Sequence, residues 1–155
     1  MRRRAFLLGL AAAARAAPSR VSEVLGVLAS GLSDGDAEAF LRPFDAAMPG
    51  FEALRADVHG LVERAEVLSA VELLADEGDE ARRAVEADWT MRIRERSLGS
   101  RVVERRRTLK FRLERRGKRW TITGLEPAGF FAPPGPPSGA GAGVLPGGLP
   151  LRGSR

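Results

Sequence analysis

The fold is decided by residues 85–93, which read Val-Glu-Ala-Asp-Trp-Thr-Met-Arg-Ile. Apolar residues occupy every odd position and polar residues every even one, the period-two pattern of a β-strand with one buried face. The alternation continues on both sides, so we expect a strand over about residues 80–97. Trp89 lies at the centre of its apolar face. The remaining chain is therefore expected to cover the face that carries this tryptophan.

Two further strands are predicted immediately downstream. Residues 101–116 alternate again, and Gly117 marks a tight turn into a short strand over residues 119–123. Upstream, residues 66–76 are apolar and β-branched and predict a first strand, although their paired Val-Leu and Leu-Leu residues fit a helix almost as well. The expected sheet is an antiparallel meander of about four strands.

Three helices are predicted before the sheet. Residues 20–30 carry valine and leucine at helical spacing, and Gly31 is expected to end this helix. The Ser-Asp-Gly-Asp segment at residues 33–36 is typical of the N-terminal cap of a brief second helix, which ends before Pro43. A third helix with one apolar stripe is predicted over residues 51–65.

The ends of the chain differ from the domain between them. Residues 1–17 combine three consecutive arginines, a short Ala-rich apolar core and an Ala-Arg-Ala pattern suited to signal cleavage. Residues 3–7 (Arg-Arg-Ala-Phe-Leu) are similar to a twin-arginine signal, although an alanine-rich helix is the alternative. The signal pattern predicts a periplasmic or secreted protein. The apolar core is shorter than the roughly 20 residues of a membrane span, so we expect no stable membrane anchor. Residues 133–155 are rich in Pro, Gly, Ser and Ala and predict a disordered tail, which leaves a domain over residues 20–132.

Charge and composition narrow the classes of function. Residues 91–132 hold 13 basic and 4 acidic side chains, so a basic sheet surface for an anionic partner is one interpretation. We favour arginines that pair across strands, because no aromatic residues interleave with them as nucleic-acid binding requires. We therefore expect no nucleic-acid partner. The chain has no cysteine, which excludes disulfides and thiolate metal sites, and we predict neither a metal site nor a cofactor.

The predicted order of elements resembles the nuclear transport factor 2-like (SnoaL-like) superfamily over residues 20–131. The resemblance rests on residues 32–41 (LSDGDAEAFL) and on residues 118–123 (KRWTIT), where a basic turn leads into a Trp-centred final strand. It implies an α+β fold of the cystatin-like type, in which a cone-shaped, bent antiparallel sheet packs on three N-terminal helices and leaves a cavity. Members range from cyclases, isomerases and dehydratases to non-catalytic binding or dimerisation modules, so the fold leaves the function open.

Candidate catalytic residues are few. His59 is the only histidine, and the chain has no tyrosine. Helical geometry places His59 on the flank of the third helix's apolar stripe, with Asp57 as the other acid/base candidate. A cyclase- or isomerase-like enzyme would use one of these residues, with Arg107 holding an anion. We favour the alternative, in which His59 is a half-exposed helix residue without a catalytic role.

Strand parity supplies the ligand-binding candidates. Arg105 and Arg107 share the parity of Leu109 and are expected to point inward, where a guanidinium binds a carboxylate or phosphate. Trp89 and Trp120 would form the apolar walls of the cavity. The alternative is that this end of the strand is solvent-exposed and that both tryptophans are core packing. We thus predict a non-enzymatic domain that binds a small apolar or anionic ligand, or that forms a homodimer through its sheet.

Overall fold

A computed structural model describes residues 20–97 and 99–135. Three helices come first, and they are α1 (Arg20–Ser33), α2 (Ala37–Leu41) and α3 (Phe51–Arg64). The four strands are β1 (Ala65–Gly78), β2 (Arg82–Glu95), β3 (Val102–Arg116) and β4 (Arg119–Glu126), followed by a 3-10 turn, η1 (Ala128–Phe131). The predicted export signal and all but residues 133–135 of the predicted tail lie outside the described residues.

The sheet is the predicted four-stranded antiparallel meander, in the order β1-β2-β3-β4. Trp89 on β2 lies opposite Val71 on β1 and Arg107 on β3. The odd positions of β2 from Val85 to Ile93 are buried, so the predicted parity is confirmed. The helical alternative for residues 66–76 is wrong, because these residues pair with β2 along most of their length.

The helices cover one face of the sheet and form a single apolar core with it. Leu25 and Leu28 of α1 and Leu54 and Leu61 of α3 are completely or almost completely buried, as is Trp89. Asp36 caps α2 as predicted, since its side chain accepts a hydrogen bond of 2.9 Å from the amide of Ala39. This arrangement is the α+β architecture predicted from the sequence.

The opposite face of the sheet is polar and carries ion pairs between neighbouring strands. These ion pairs confirm the prediction that the arginines of β2 and β3 pair across strands. The pairs are Arg106–Asp88 at 2.5 Å, Lys110–Glu86 at 3.6 Å, and Arg92–Glu104 and Arg82–Glu114 at 3.8 Å.

Gly31 does not end the first helix, because α1 continues to Ser33. It lies instead at a close approach of α1 to α2, since a β-carbon at Gly31 would lie 2.8 Å from the backbone nitrogen of Phe40. The glycine therefore permits the contact between the two helices.

Replacing Gly31 with alanine is expected to lower the free energy of unfolding by about 1–3 kcal/mol, because the added methyl group meets backbone that cannot move freely. Gly26 is the matched control, since it lies in the same helix and a β-carbon there would have no neighbour within 4 Å. Gly26→Ala should be neutral or stabilising by up to about 1 kcal/mol through helix propensity. Urea unfolding of both variants measures the difference, and equal effects would contradict the close approach.

Candidate functional site

The structure does not assemble the predicted catalytic group. His59 is half-exposed on α3, and its Nε2 lies 3.1 Å from Oε1 of the exposed Glu38. Asp57 precedes it on the same helix and is half-buried, whereas Arg107 is exposed on β3. Within the described residues, no hydrogen bond or ion pair joins any two of His59, Asp57 and Arg107. The partner of His59 is therefore the exposed Glu38, and among the described residues no arginine contacts His59 or Asp57 to hold an anion beside it.

The interior that the sequence predicted as a cavity is filled by aromatic rings. Phe131 of η1 packs edge-on against Trp89 at a centroid distance of 5.2 Å and against Phe40 at 4.9 Å. The ring of Phe111 lies 6.2 Å from that of Trp89 between centroids. These rings are almost completely buried, and Trp89 donates a hydrogen bond of 2.7 Å from Nε1 to Oγ of Ser69. Trp89 is thus core packing, which is the alternative that the sequence left open for it.

The two arginines predicted to point into that cavity have different surroundings. Arg105 is half-buried and donates hydrogen bonds to the carbonyl oxygens of Phe130 at 2.9 Å and Ala132 at 2.5 Å. Burial lowers the pKa of its guanidinium below the ordinary value. Arg107 is exposed, because β4 pairs with β3 only as far as Lys110 and leaves this end of β3 uncovered. Arg107 keeps the predicted facing, since it pairs with the buried Trp89, but its side chain is exposed. This matches the alternative in which this end of the strand lies in solvent.

An open groove of about 500 Å³ lies at the other end of β3, where the N-terminus of α1, the loop after α2 and the β3–β4 turn meet. We call it the basic groove. Its lining includes five basic side chains and one tryptophan, which are Arg20, Arg42, Arg116, Lys118, Arg119 and Trp120.

Main-chain pairing between distant segments builds this groove. The amide of Ile122 on β4 donates to the carbonyl of Pro43 at 2.8 Å, and the amide of Asp45 donates to the carbonyl of Ile122 at 2.9 Å. The loop after α2 is thereby fixed beside β4. Asp45 also accepts a hydrogen bond from the amide of Ala47 and one of 2.6 Å from Arg116. The Ala47 amide first, and then Arg116, hold the pKa of Asp45 below its ordinary value.

The basic groove has an excess of positive charge. Arg116 is neutralised by Asp45, and Glu23 also lines the groove. Among the described residues, no side-chain partner satisfies Arg20, Arg42, Lys118 or Arg119. These four cations therefore differ from the paired arginines on the outer face of the sheet, and they are available to an anion.

The same groove has an apolar wall. Trp120 is half-buried against the core, and its ring lies 5.7 Å from the guanidinium carbon of Arg83, a cation–π contact that helps to fix it. Val27 of α1 is 49% exposed and lines the groove with Val24. Trp120 thus lines the basic groove, whose lining includes neither Trp89 nor the two arginines predicted to lie beside it.

Two other classes of site find no support in the described residues. No group of three or more His, Asp or Glu side chains in residues 20–97 and 99–135 is arranged to hold a metal ion. No helix in the same part of the chain combines the length and apolar character needed to cross a membrane.

Comparison with solved structures identifies the fold. A protein from Planctomyces limnophilus superposes with a TM-score of 0.62 at 13% identity, covering 68% of this chain and 90% of that chain. A nuclear transport factor 2-like protein of unknown function from Shewanella oneidensis gives 0.53 at 11% identity, over 68% and 93% of the chains. A candidate dehydratase of the same family from Streptomyces avermitilis gives 0.57 at 8% identity, over 68% and 91%.

The chain therefore has the fold of the nuclear transport factor 2-like superfamily, as its sequence predicted. No family model matches the sequence, and no curated protein matches it. The solved structures share the fold at low identity and do not define an activity for this chain.

Proposed function

We propose that this chain is a non-enzymatic binding module whose basic groove holds a small molecule with an anionic group and an apolar body. The observation that carries the proposal is a set of four cations that have no side-chain partner among the described residues and that surround the apolar wall of the half-buried Trp120 and the exposed Val27. Guanidinium and ammonium groups bind carboxylates and phosphates through charge-assisted hydrogen bonds. An aromatic wall beside them binds the apolar part of the ligand.

The surroundings of the predicted catalytic residues favour binding over turnover. His59 contacts Glu38 on the surface, and the interior that would enclose a substrate is packed with Phe131 and Trp89. Acid/base catalysis requires a group held against an enclosed substrate. The cyclase- or isomerase-like alternative therefore has less support than ligand binding.

Calorimetric titration of the full chain with decanoate, decyl phosphate and decanol tests the proposal. Both anions are expected to bind saturably, and decanol, which has the same tail but no charge, should bind at least about tenfold more weakly. Arg119→Ala should weaken decanoate binding by about tenfold, because one charge-assisted contact is lost. His59→Ala and Arg107→Ala are the controls and should bind like the wild type. Equal binding of decanol and decanoate would overturn the proposal.

We propose further that the protein is exported through a twin-arginine system. The support is the sequence of residues 3–7 followed by an apolar core and a small-residue cleavage pattern. Replacing Arg3 and Arg4 together with lysine should retain the uncleaved precursor in the cytoplasm. Cell fractionation with intact-mass analysis measures this, and normal trimming and export of the variant would show that the twin-arginine assignment is wrong.

A homodimer through the sheet is a second candidate function. Leu68 on β1 and Val102 on β3 are 66% and 43% exposed on the outer face, on either side of Arg92 and Arg94. A two-fold interface brings the same patch of two copies together, which would bury these apolar side chains. Sedimentation of the wild type should then reveal a dimer that Leu68→Asp dissociates, and a monomeric wild type would exclude it.

A further inference from the structure

The segment that follows β4 crosses the open side of the domain. β4 ends at Glu126, opposite Lys110 of β3. Residues 127–135, which we call the strap, continue in the same direction beside the end of β3 that β4 leaves uncovered. Arg105 binds the carbonyl oxygens of Phe130 and Ala132, and Arg101 donates a hydrogen bond of 2.7 Å to the carbonyl oxygen of Gly135. The strap thus continues the course of β4 but is held by arginine side chains.

The attachment of the strap differs from that of the strands. Its main-chain hydrogen bonds are local, from the amide of Phe130 to Pro127 at 3.3 Å and from the amide of Ala132 to Gly129 at 3.2 Å. Within residues 20–97 and 99–135, none of its backbone groups bonds to a strand backbone. Because strands are joined by continuous ladders, the strap has fewer bonds to break when it separates from the sheet.

The strap contributes the ring of Phe131 to the core and two carbonyl oxygens to one arginine. The Phe131 ring enters an apolar site formed by Trp89 and Phe40, and two oxygens of the strap lie on one guanidinium nitrogen of Arg105. Arg105 has no carboxylate partner among the described residues, so its hydrogen bonds to protein are those with the strap. Pro133 completes the contact by packing against α3 at Gly60, where a β-carbon would lie 3.0 Å from the proline ring.

We propose that the strap is an intramolecular ligand and that it releases without unfolding the sheet. It is docked on a peptide-binding surface formed by α3, the uncovered end of β3, Phe40 of α2 and Trp89 of β2. The occupant of this surface is the chain's own strap. The surface binds an aromatic side chain and a proline two residues after it, and Arg105 binds main-chain carbonyl oxygens of the same segment. It shares no residue with the basic groove, so the proposal does not depend on the proposed function.

Hydrogen exchange of the full chain, followed by mass spectrometry, tests whether the strap opens separately. Arg105→Met removes both carbonyl contacts and should raise amide exchange in the strap by about tenfold or more, since hydrogen bonds to a charged group are lost. Exchange in β2 and in the paired part of β3 should match the wild type. Arg107→Met is the matched control, because Arg107 lies on the same strand, is exposed and, among the described residues, donates no hydrogen bond to the strap. Unchanged strap exchange in Arg105→Met, or faster exchange of strap and sheet together, would overturn the proposal.

A competing peptide tests whether the surface binds this chemistry. A labelled peptide with the sequence of residues 127–135, PAGFFAPPG, should bind the full-length Phe131→Ala variant saturably and the wild type at least about tenfold more weakly, since the wild-type strap occupies the site. The same peptide with alanine at the Phe131 position should not bind. A folded Phe131→Ala variant that fails to bind the peptide would overturn the proposal, as would a variant that unfolds, because the sheet must remain folded without the strap.

Discussion

Replacing Trp89 with alanine is expected to lower the free energy of unfolding by about 3–5 kcal/mol, the range for truncating a large core side chain. Trp89 is fully buried at the centre of β2 and packs against Phe111 and Phe131. Its truncation leaves a cavity that the paired strands on either side cannot close. Guanidinium unfolding monitored by circular dichroism measures the loss.

Two control variants separate the contributions to this loss. Ser69→Ala removes only the acceptor of the Trp89 indole and should cost about 1–3 kcal/mol. Trp120→Ala should cost less than Trp89→Ala, because Trp120 is half-buried at the edge of the core. A loss below about 1 kcal/mol for Trp89→Ala would mean that Trp89 is exposed and that the register of β2 is shifted by one residue.

Reversing two charges in the basic groove should have the largest effect on binding. The double variant Lys118→Glu/Arg119→Glu replaces two unpaired cations with carboxylates. Each charge-assisted contact contributes about 1.5–3 kcal/mol, so decanoate affinity should fall by about a hundredfold or more. Calorimetric titration measures the change, and added salt should weaken wild-type binding in the same assay because the groove is open to solvent.

A second double variant controls for net charge. Arg94→Glu/Arg107→Glu changes the net charge by the same amount, and both arginines lie outside the basic groove without an ion pair among the described residues. Its decanoate affinity should remain close to that of the wild type at moderate salt. Equal losses in the two double variants would mean that the overall field of the protein, and not the groove, attracts the ligand.

The sheet was predictable because its signals are local. The alternation around Trp89 defines both the strand and its buried face, and Gly117 marks the turn into β4. Asp36 likewise identified the start of α2 from a few neighbouring residues. Gly31 was misread because a glycine near a helix end has the same sequence pattern whether it ends the helix or permits a helix crossing.

The alternation of a strand predicts which face a side chain lies on, but it did not predict how far that side chain is buried. Arg105 and Arg107 lie on the same side of β3, as the alternation requires, but one is half-buried and the other exposed. The difference arises from where β4 stops and where the strap passes, and both are properties of the assembled domain. Phe131 fills the interior because the strap passes beside this end of β3.

A local sequence pattern shows only part of the basic groove, which is the basic turn before Trp120. Its unpaired cations come from α1, the loop after α2 and the β3–β4 turn, three segments far apart in the chain. The pairing of Pro43 with Ile122 brings them together, and this pairing connects a loop to a strand without a repeated sequence pattern. Lys118 and Arg119 precede Trp120 in the sequence as a basic turn, but Arg20 and Arg42 join them only in the structure.

The indole resonances of the two tryptophans test the central claim most directly. Because the chain has only Trp89 and Trp120, a ¹⁵N-labelled sample gives two indole signals, and Trp120→Phe assigns them. Trp120 lines the basic groove, whereas Trp89 lies in the packed interior. Titration with decanoate is predicted to shift the Trp120 signal saturably and to leave the Trp89 signal in place. A saturable shift of Trp89 with Trp120 unmoved would place the ligand in the interior and contradict the assignment of the basic groove.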